Sequence, residues 1–419
     1  MTRTITLLAS GTRGDVQPYL ALGLGLRDAG FKVRIATHAN FTPLVAGTGL
    51  TFARLDDNPS DLFARPGGES ALRLDGNLAR NFQATLKFWR DARPLFERLL
   101  LSGWRASQGS DAIVVGLATL WGVHIAEALR VPCLRGYLQP FTRTREFPSP
   151  LLPFTFSLGA TYNRATYALV HQAIWQSWRG VVNRWRRETL RLKPASFAVP
   201  FAHENAPTLY AFSEHVVPCP HDWSPQQRIT GFWFLPLARD WSPPRDLAQF
   251  LDQGEPPVYL GFGSLTVRRL RETIATMLRA VEQAGLRAVV AFPRERIDRE
   301  LPKTIFPMSN VPHTWLFPRM SALVHHGGAG TTGAGVRAGV PTIVIPLAVD
   351  QFFWAGRIAN LGVGAQPIPY RALTADKLAD ALMRVTRDTQ IKSRAQSLAH
   401  AIESEDGVAR AVEHIRAKL

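Results

Sequence analysis

Cysteine is scarce in this chain of 419 residues, which has only Cys133 and Cys219. Two cysteines cannot build a disulfide framework, so a reducing compartment is the simpler expectation and we predict a cytoplasmic location. The N-terminus also lacks a charged segment followed by a long apolar one, and no window holds about 18 uninterrupted apolar residues. The sequence therefore predicts neither a secretory signal nor a membrane-spanning helix.

Acidic residues are few relative to basic ones, with 33 Asp and Glu against 49 Lys and Arg and a net charge of +16. Such an excess first suggests nucleic acid as a partner. However, the chain has no Cys/His finger spacing, no aromatic RNA-binding motif and no dense Lys/Arg tail. We expect no nucleic-acid partner, and phosphorylated small molecules or an anionic membrane surface fit the charge at least as well.

The order of strand-like and helical patterns indicates the fold class. A β-strand pattern ("TITLLAS"), a loop ("GTRGDVQP"), an amphipathic helix and a second strand make one βαβ unit, and the pattern restarts after a Pro- and Trp-rich stretch. This alternation predicts an α/β protein with two doubly wound parallel-sheet domains facing a cleft. We predict an N-terminal domain over residues 1–225, a linker over 226–250, a second domain over 251–390 and a final segment over 391–419.

The segment from 141 to 200 is aromatic and basic, and residues 167–192 have a helical period. An apolar stripe includes Tyr167 and Trp185, whereas Arg179, Arg186 and Arg187 fall off it. Two interpretations remain open: a helix on a membrane surface, and a helix packed on its own domain with solvated arginines. The second is favoured.

The run "HHGGAGTTGAG", residues 325–335, follows a predicted strand and precedes a predicted helix. Glycines at a helix start let a ligand approach free N–H groups at the positive end of the helix dipole, which suits an anion such as a diphosphate. His326 can donate a hydrogen bond to phosphate. The alternative is a glycine-tolerant turn with His326 as a helix-end residue.

Asp350 and Gln351 follow the strand pattern "PTIVIP". A carboxylate beside an amide suits bidentate hydrogen bonding to vicinal sugar hydroxyls, and an Asx-type turn is the alternative.

The stretch "VPHTWLFPRMSALVHHGGAGTTGAGVRAGVPTIVIPLAVDQFFWAGRIANLGVG" resembles the donor-binding signature of the UDP-glycosyltransferase family. The opening "GTRGDVQPYLALGLGLRDAGFKVRIATHANF" resembles the same family's N-terminus, closest to the sterol glucosyltransferase branch and the bacterial antibiotic and rhamnolipid branch. The resemblance implies a GT-B fold, with two Rossmann-like domains. It also implies that the acceptor binds the first domain, the nucleotide sugar binds the second, and the final helical segment packs back on the first.

The resemblance assigns roles residue by residue. It implies a donor diphosphate contacted by Gly14, Ser264, His326, Gly328, Ala329, Gly330 and Thr331. Asp350 and Gln351 match the pair that holds the sugar hydroxyls, and Val311, His313 and Trp315 lie where the nucleoside is bound. The tryptophan that opens this donor-binding signature in plant members of the family is absent here, and Asn310 stands near its place. Trp315 is equally a candidate core aromatic.

Asp15 matches the residue that acts as base in the sterol and antibiotic branch. Together with His326 it is the predicted catalytic pair. An ordinary aspartate is a weak base for an alcohol, so a partly desolvated site would help by raising its pKa. The alternative is that Asp15 only N-caps the following helix. His38 and His124 are rival bases, each favoured as structural.

These features predict an inverting glycosyltransferase that moves a hexose to a hydroxyl of a lipophilic acceptor such as a sterol or polyphenol. UDP-glucose is the favoured donor, and the product is a β-glycoside. No Asp-x-Asp motif occurs in the chain, so we expect no metal and no cofactor. Three alternatives are open: transfer of a TDP-deoxysugar such as rhamnose, a nucleotide-sugar epimerase or hydrolase, and a non-catalytic binding protein. We further expect a monomer or weak dimer, with peripheral contact at the inner membrane surface as an open hypothesis.

Overall fold

The computed structural model of the chain describes residues 2–58, 78–199, 205–238, 240–262, 270–292, 294–308 and 311–419. Ser264, predicted to lie near the donor phosphate, is outside these ranges. No helix within them is both long and apolar enough to cross a membrane.

The first half of the chain forms a seven-stranded sheet in the order β3-β2-β1-β4-β5-β6-β7, with every neighbouring pair parallel. Its strands are β1 (Thr4–Leu8), β2 (Lys32–His38), β3 (Thr51–Leu55), β4 (Ala112–Val115), β5 (Cys133–Tyr137), β6 (Thr208–Tyr210) and β7 (Gln227–Ile229). In β4, all four residues are completely buried. Burial on both faces is what a parallel sheet covered by helices requires of its strands, and it explains their continuous apolar runs.

The second half forms a five-stranded parallel sheet in the order β10-β9-β8-β11-β12. Its strands are β8 (Val258–Gly261), β9 (Ala288–Val290), β10 (Ile305–Pro307), β11 (Ala322–His325) and β12 (Thr342–Val344). Two parallel-sheet α/β domains confirm the predicted fold class. In both sheets the strand order reverses direction beside the first strand, where crevices at the carboxyl ends receive ligands.

Helices cover both sheets. They are α1 (Arg13–Asp28), α2 (Thr42–Val45), α3 (Leu78–Ala106), α4 (Gly122–Leu129), α5 (Ala160–Glu188), α6 (Arg245–Asp252), α7 (Leu270–Gln283), α8 (His313–Leu316), α9 (Ala329–Ala338), α10 (Gln351–Asn360), α11 (Ala375–Arg387), α12 (Thr389–Glu403) and α13 (Gly407–Arg416). Short 3₁₀ turns occupy Ala39–Phe41, Leu117–Thr119, Arg294–Arg296, Phe317–Arg319 and Tyr370–Ala372.

Helix α5 differs from its prediction in extent and in one side chain. It runs from Ala160 to Glu188 rather than over 167–192. Arg186, expected to be solvated, is buried and donates from Nη2 to Glu127 Oε1 at 2.9 Å and from Nη1 to His124 Nδ1 at 2.8 Å. The neighbouring side chains of His124 and Arg186 lower the pKa of Glu127 to about 2. The arginine is therefore the buried partner of an ion pair between α5 and α4, whose carboxylate, Glu127, is exposed.

The segment 391–419 lies against both domains. Helix α12 packs on α9 of the second domain, whereas α13 packs on α1 of the first. Ala411 and Ile415 of α13 are completely buried in the core around β1 and α1. At the crossing, Gly407 lies so close to the backbone of Gly231 that an added Cβ would meet its carbonyl at 2.5 Å. The exact domain boundaries stay predictions.

Candidate functional site

The glycine run begins at the carboxyl end of β11. His325 ends the strand, Gly328 is the N-cap of α9, and the helix begins at Ala329. Gly327 has φ +91°, and an added Cβ would lie 2.6 Å from Val344 Cγ1, so only glycine fits between the strand and the helix. This turn points the start of α9 into the cleft.

The first turn of α9 has free backbone donors. The first intrahelical hydrogen bond runs from Thr332 N to Gly328 O at 2.9 Å, which leaves the N–H groups of Ala329, Gly330 and Thr331 without an acceptor inside the helix. Among the residues that the structure describes, no side chain caps this end. The hydroxyl of Thr332 is buried and has no partner among the described residues. Free N–H groups at the positive end of a helix form an anion site.

His326 lies beside this helix start. Its Nε2 is 2.5 Å from where a Cβ on Gly328 would be, so the imidazole packs directly on the glycine. Burial lowers the pKa of His326 to about 4, and its Nδ1 has no hydrogen-bond partner within the described part of the chain. The ring is therefore neutral near pH 7 and can supply an N–H donor rather than a positive charge.

Asp350 and Gln351 occupy the start of α10. Asp350 is the N-cap residue, but its Oδ2 accepts from Trp354 Nε1 at 3.0 Å instead of capping a backbone N–H. The preceding Val349 has φ +55°, an uncommon conformation for a β-branched residue that holds the turn in this shape. Burial raises the pKa of Asp350 to about 7. Gln351 Oε1 accepts from Leu347 N at 2.8 Å and Ala348 N at 3.2 Å, so its amide oxygen is engaged and its NH₂ is the group that can reach a ligand.

Asp15 lies at the start of α1, at the carboxyl end of β1. Its Oδ2 accepts from Thr12 N at 2.7 Å and from Thr12 Oγ1 at 2.8 Å. Thr12 is the N-cap and Asp15 the third helical residue, so Asp15 belongs to a capping box and is not the N-cap itself. Gly11, with φ +125°, permits this arrangement because a Cβ there would lie 2.5 Å from Asp15 Oδ2. Burial raises the pKa of Asp15, opposed by the hydrogen bonds from Thr12.

The two domains bring these groups together across the cleft. Gly14 O lies 3.9 Å from the position of a Cβ on Gly330, so α1 and α9 meet near their N-terminal ends. The charge of Asp15 contributes to the raised pKa of Asp350. Gln351 O lies 3.1 Å from the Cβ position of Gly327, so α10 also begins here. Three helix N-termini and two carboxyl groups therefore surround one space, and the helix ends favour an anion in it.

Arg13 is a candidate donor-binding residue that the sequence analysis did not identify. It is the first residue of α1, and its charge contributes, after burial, to lowering the pKa of His313 in the second domain to about 4. The guanidinium therefore lies near the donor side of the cleft. The quoted loop "GTRGD" contains this arginine, but nothing in the local pattern shows which domain it faces.

The predicted nucleoside residues surround α8. His313 stacks on Phe317 with ring centroids 4.3 Å apart. Val311 is buried, and Trp315 packs against Trp241 with centroids 5.4 Å apart. The guanidinium of Arg319 also lies over the Trp315 ring, at 4.3 Å. Trp315 is thus in contact with protein groups, and its role with a nucleoside stays a prediction.

The two rival bases are both buried. Nε2 of His38 hydrogen-bonds Ser10 Oγ at 2.8 Å, and His124 is part of the cluster with Arg186 and Glu127. The described residues contain no group of three His, Cys, Asp or Glu side chains that could hold a metal ion. The metal independence expected from the sequence stays a prediction.

Two family models match the chain. Residues 5–148 match the glycosyltransferase family 28 N-terminal domain, and residues 275–417 match the C-terminal domain described as erythromycin biosynthesis protein CIII-like. The first range contains Asp15, and the second contains His326 and Asp350.

Curated relatives are similar along nearly the whole chain. A sterol 3-beta-glucosyltransferase of Emericella nidulans is 40% identical over 98% of this chain, and one of Pichia angusta is 37% identical over 98%. The chain spans only 30% and 33% of the length of those two relatives.

Solved structures share the fold at low identity. The glycotransferase of kitacinnamycin is 19% identical, with a TM-score of 0.70, covering 100% of this chain and 99% of that one. The spinosyn rhamnosyltransferase SpnG complexed with thymidine diphosphate is 17% identical, with a TM-score of 0.65, covering 99% and 100%.

Proposed function

Because this chain belongs to the UDP-glycosyltransferase family and has its GT-B fold, we propose that it is an inverting glycosyltransferase that acts on a lipophilic alcohol. Its donor in this proposal is UDP-glucose, its acceptor is a sterol hydroxyl, and its product is a β-glucoside. The observation that carries the proposal is the meeting of the start of α1, which contains Asp15, with the N-terminus of α9 across the cleft. The sterol 3-beta-glucosyltransferase relatives support the acceptor class and the sugar.

The donor diphosphate binds at the start of α9 in this proposal. The free N–H groups of Ala329, Gly330 and Thr331 and the neutral imidazole of His326 donate hydrogen bonds to phosphate oxygens. Arg13 adds a positive charge from the opposite domain. Positive helix ends and a guanidinium facing one space repel each other, and a bound diphosphate removes that repulsion.

The sugar lies between α9 and α10. Asp350 accepts hydrogen bonds from sugar hydroxyls, and the NH₂ of Gln351 donates to one of them, since its oxygen is held by Leu347 and Ala348. A site built to hydrogen-bond hydroxyls rejects a sugar that lacks them, because its buried polar groups would be left unpaired. These two residues therefore make the proposed selection between glucose and a deoxysugar.

The reaction is a single displacement at the anomeric carbon. The acceptor oxygen forms its bond to that carbon while the bond to the diphosphate breaks, and the bonding pair leaves on the diphosphate oxygen. The hydroxyl proton passes to Asp15, and because Thr12 binds Oδ2, Oδ1 is the oxygen we propose to receive it. Burial helps by raising the pKa of Asp15, which makes its carboxylate a stronger base. The leaving charge is stabilised by the helix N-termini without a metal ion.

A TDP-deoxysugar is the second candidate donor. It is favoured by one observation: the spinosyn rhamnosyltransferase that shares this fold is complexed with thymidine diphosphate. The two donors differ in the hydrogen bonds that they can make with Asp350 and Gln351, because a deoxysugar has fewer hydroxyls than glucose.

The test is product formation by purified protein. With UDP-glucose and a detergent-dispersed sterol we expect UDP release that depends on the sterol, and a hexosylated product with a β-anomeric proton coupling. Asp15→Asn keeps an acceptor for both Thr12 donors, so it should fold normally and lose about 10²–10⁴-fold in kcat. Asp28→Asn, at the exposed end of the same helix, is the matched control and should retain activity.

Other outcomes decide against the proposal. Activity with a TDP-sugar alone would favour the second donor. UDP release without any acceptor would favour a hydrolase or epimerase, and tight donor binding without turnover would favour a binding protein. An Asp15→Asn variant with full activity would remove Asp15 as the base.

A further inference from the structure

Large apolar side chains are exposed around helix α5. Phe156, Leu158, Leu169 and Phe197 are 55%, 73%, 66% and 64% exposed. They lie within 42 residues of one another in sequence, whereas the other exposed large apolar residues of the described chain, Leu101, Leu237 and Val349, are scattered and at most 43% exposed. We call these four residues and the outward side of α5 the α5 face.

The four side chains belong to one surface. Phe156 stacks on Phe154 at 4.7 Å and on Tyr162 of α5 at 5.8 Å. Leu169 is two turns after Tyr162 and points the same way, since seven residues bring a helix back to nearly the same angle. Further along, the carbonyl of Phe197 accepts from Gln172 at 3.3 Å and Gln176 at 3.2 Å, which fixes its loop along the helix.

The α5 face is also basic. Residues 154–199 contain one acidic residue, Glu188, and seven basic ones, Arg164, Arg179, Arg184, Arg186, Arg187, Arg191 and Lys193. Two of the seven face acidic residues of neighbouring helices: Arg186 pairs with Glu127 and Arg184 approaches Glu97 at 3.8 Å. Arg187, Arg191 and Lys193 are exposed, and the guanidinium of Arg179 lies 5.4 Å from the Phe197 ring. Aromatic and aliphatic side chains with arginines and a lysine around them suit the boundary between lipid headgroups and acyl chains.

This surface lies next to a helix of the cleft. Thr155 Cγ2 lies 3.6 Å from the Cβ position of Gly356 in α10, and the rings of Phe147 and Phe353 are 5.6 Å apart. The α5 face therefore adjoins the helix that begins with Asp350 and Gln351, at the rim of the cleft.

We propose that the α5 face docks this protein on an anionic membrane surface and that the lipophilic acceptor enters the cleft from the bilayer. Docking rests on the exposed apolar side chains and on charge complementarity. Acceptor entry also rests on the glycosyltransferase function proposed above. The apolar side chains insert at the headgroup level, while the arginines attract anionic lipid, so binding should weaken with salt.

The experiment is sedimentation of the purified chain with vesicles. One set contains phosphatidylcholine and about one quarter phosphatidylglycerol, and the other contains phosphatidylcholine alone. We expect binding to the first set that is lost at high salt and is at least tenfold weaker for the double variant Phe156→Ser/Leu158→Ser and for Leu169→Glu. Arg187→Gln should weaken it by about fivefold, from about 1 kcal/mol per charge near such a surface.

Matched controls carry the same changes elsewhere. Leu237→Ser removes an apolar side chain that is 41% exposed, and Arg371→Gln removes an exposed charge of the second domain. Both should bind vesicles as the parent does. Two results would overturn the proposal: wild-type protein that stays in the supernatant at low salt, or α5-face variants that bind the vesicles as the parent does. A dimer that dissociates on Leu169→Glu, without vesicle binding, would assign the face to a second copy.

Activity separates this inference from the proposed function. With a sterol in detergent micelles, Leu169→Glu should be as active as the parent, whereas with the sterol in vesicles it should be at least tenfold slower. Vesicle binding without turnover of either preparation would leave docking standing and refute the transferase. Equal losses on both preparations would refute acceptor entry through the α5 face.

Discussion

Replacing Asp350 by asparagine is expected to stabilise the folded protein at alkaline pH while removing transferase activity. The pKa of Asp350 is raised by burial from 3.8 to about 7. Asparagine has nearly the same shape, keeps an oxygen for the Trp354 N–H that Asp350 now binds, and carries no charge.

The direction of the effect follows from proton binding. Between pH 3.8 and about 7, Asp350 holds its proton in the folded chain and loses it in the unfolded chain. The folded state therefore binds more protons, and the stability of the parent falls as the pH rises through this window. The variant has no proton to lose, so its advantage is absent below the window, grows through it and levels off above pH 7.

The magnitude comes from the same shift. The difference between 3.8 and about 7 corresponds to an upper limit of about 4 kcal/mol, at 1.36 kcal/mol per pKa unit. Asp350 keeps some contact with solvent, and an open cleft admits water, so about half of that limit is a reasonable expectation. Even half of that limit is a large share of the free energy of unfolding of a typical domain.

The assay is urea unfolding of both proteins at a series of pH values, followed by tryptophan fluorescence. The free energy of unfolding of the variant minus that of the parent should rise with pH and then become constant. Asp380→Asn, which removes an exposed carboxyl on α11, is the control and should give a flat difference. A flat difference for Asp350→Asn as well, or one that favours the parent at high pH, would refute the reasoning.

Three further predictions concern the donor site. His326→Gln keeps an N–H donor, so its donor KM should be at least about tenfold lower than that of His326→Ala. The ratio of the parent's donor KM to that of His326→Gln should not change between pH 5.5 and 8, because the pKa of His326 is about 4. Equal KM values for the two variants would contradict the hydrogen bond. Arg13→Gln should raise the donor KM and raise the pKa of His313 in an NMR titration, whereas Arg371→Gln should change neither. Chelation with EDTA should leave the rate unchanged, and activity restored only by a divalent ion would contradict the proposed metal independence.

The sequence located the local elements of the site well. The glycine run indicated a helix start, and α9 begins at Ala329, directly after Gly328. The loop before α1 was also identified, but Thr12 rather than Asp15 is the N-cap, because the helix begins at Arg13, earlier than expected. In a simple cap the aspartate is itself the N-cap, whereas in a capping box it is the third helical residue. The sequence pattern alone does not distinguish these two positions.

Features that depend on contacts between distant segments could not be predicted. Arg186 lies off the predicted apolar stripe, yet it is buried because Glu127 of α4 meets it. Arg13 faces His313, which is 300 residues away in sequence. The neutral state of His326 likewise results from burial by several elements, and helical or strand periodicity contains no information about it.

The packing of α13 on α1 has a consequence for how the protein is made. Val408 and Val412 lie against Gly25 of α1, and an added Cβ on that glycine would meet them at 2.4 Å and 3.2 Å. Ala411 and Ile415, on the same helix, complete the core around β1. On the ribosome the first strand and helix emerge long before these residues do, so the core of the first domain can close only after α13 has been synthesised. Until then the side of α1 that α13 covers stays open, whereas all strands of the second sheet have emerged before α13 does, the last of them ending at Val344.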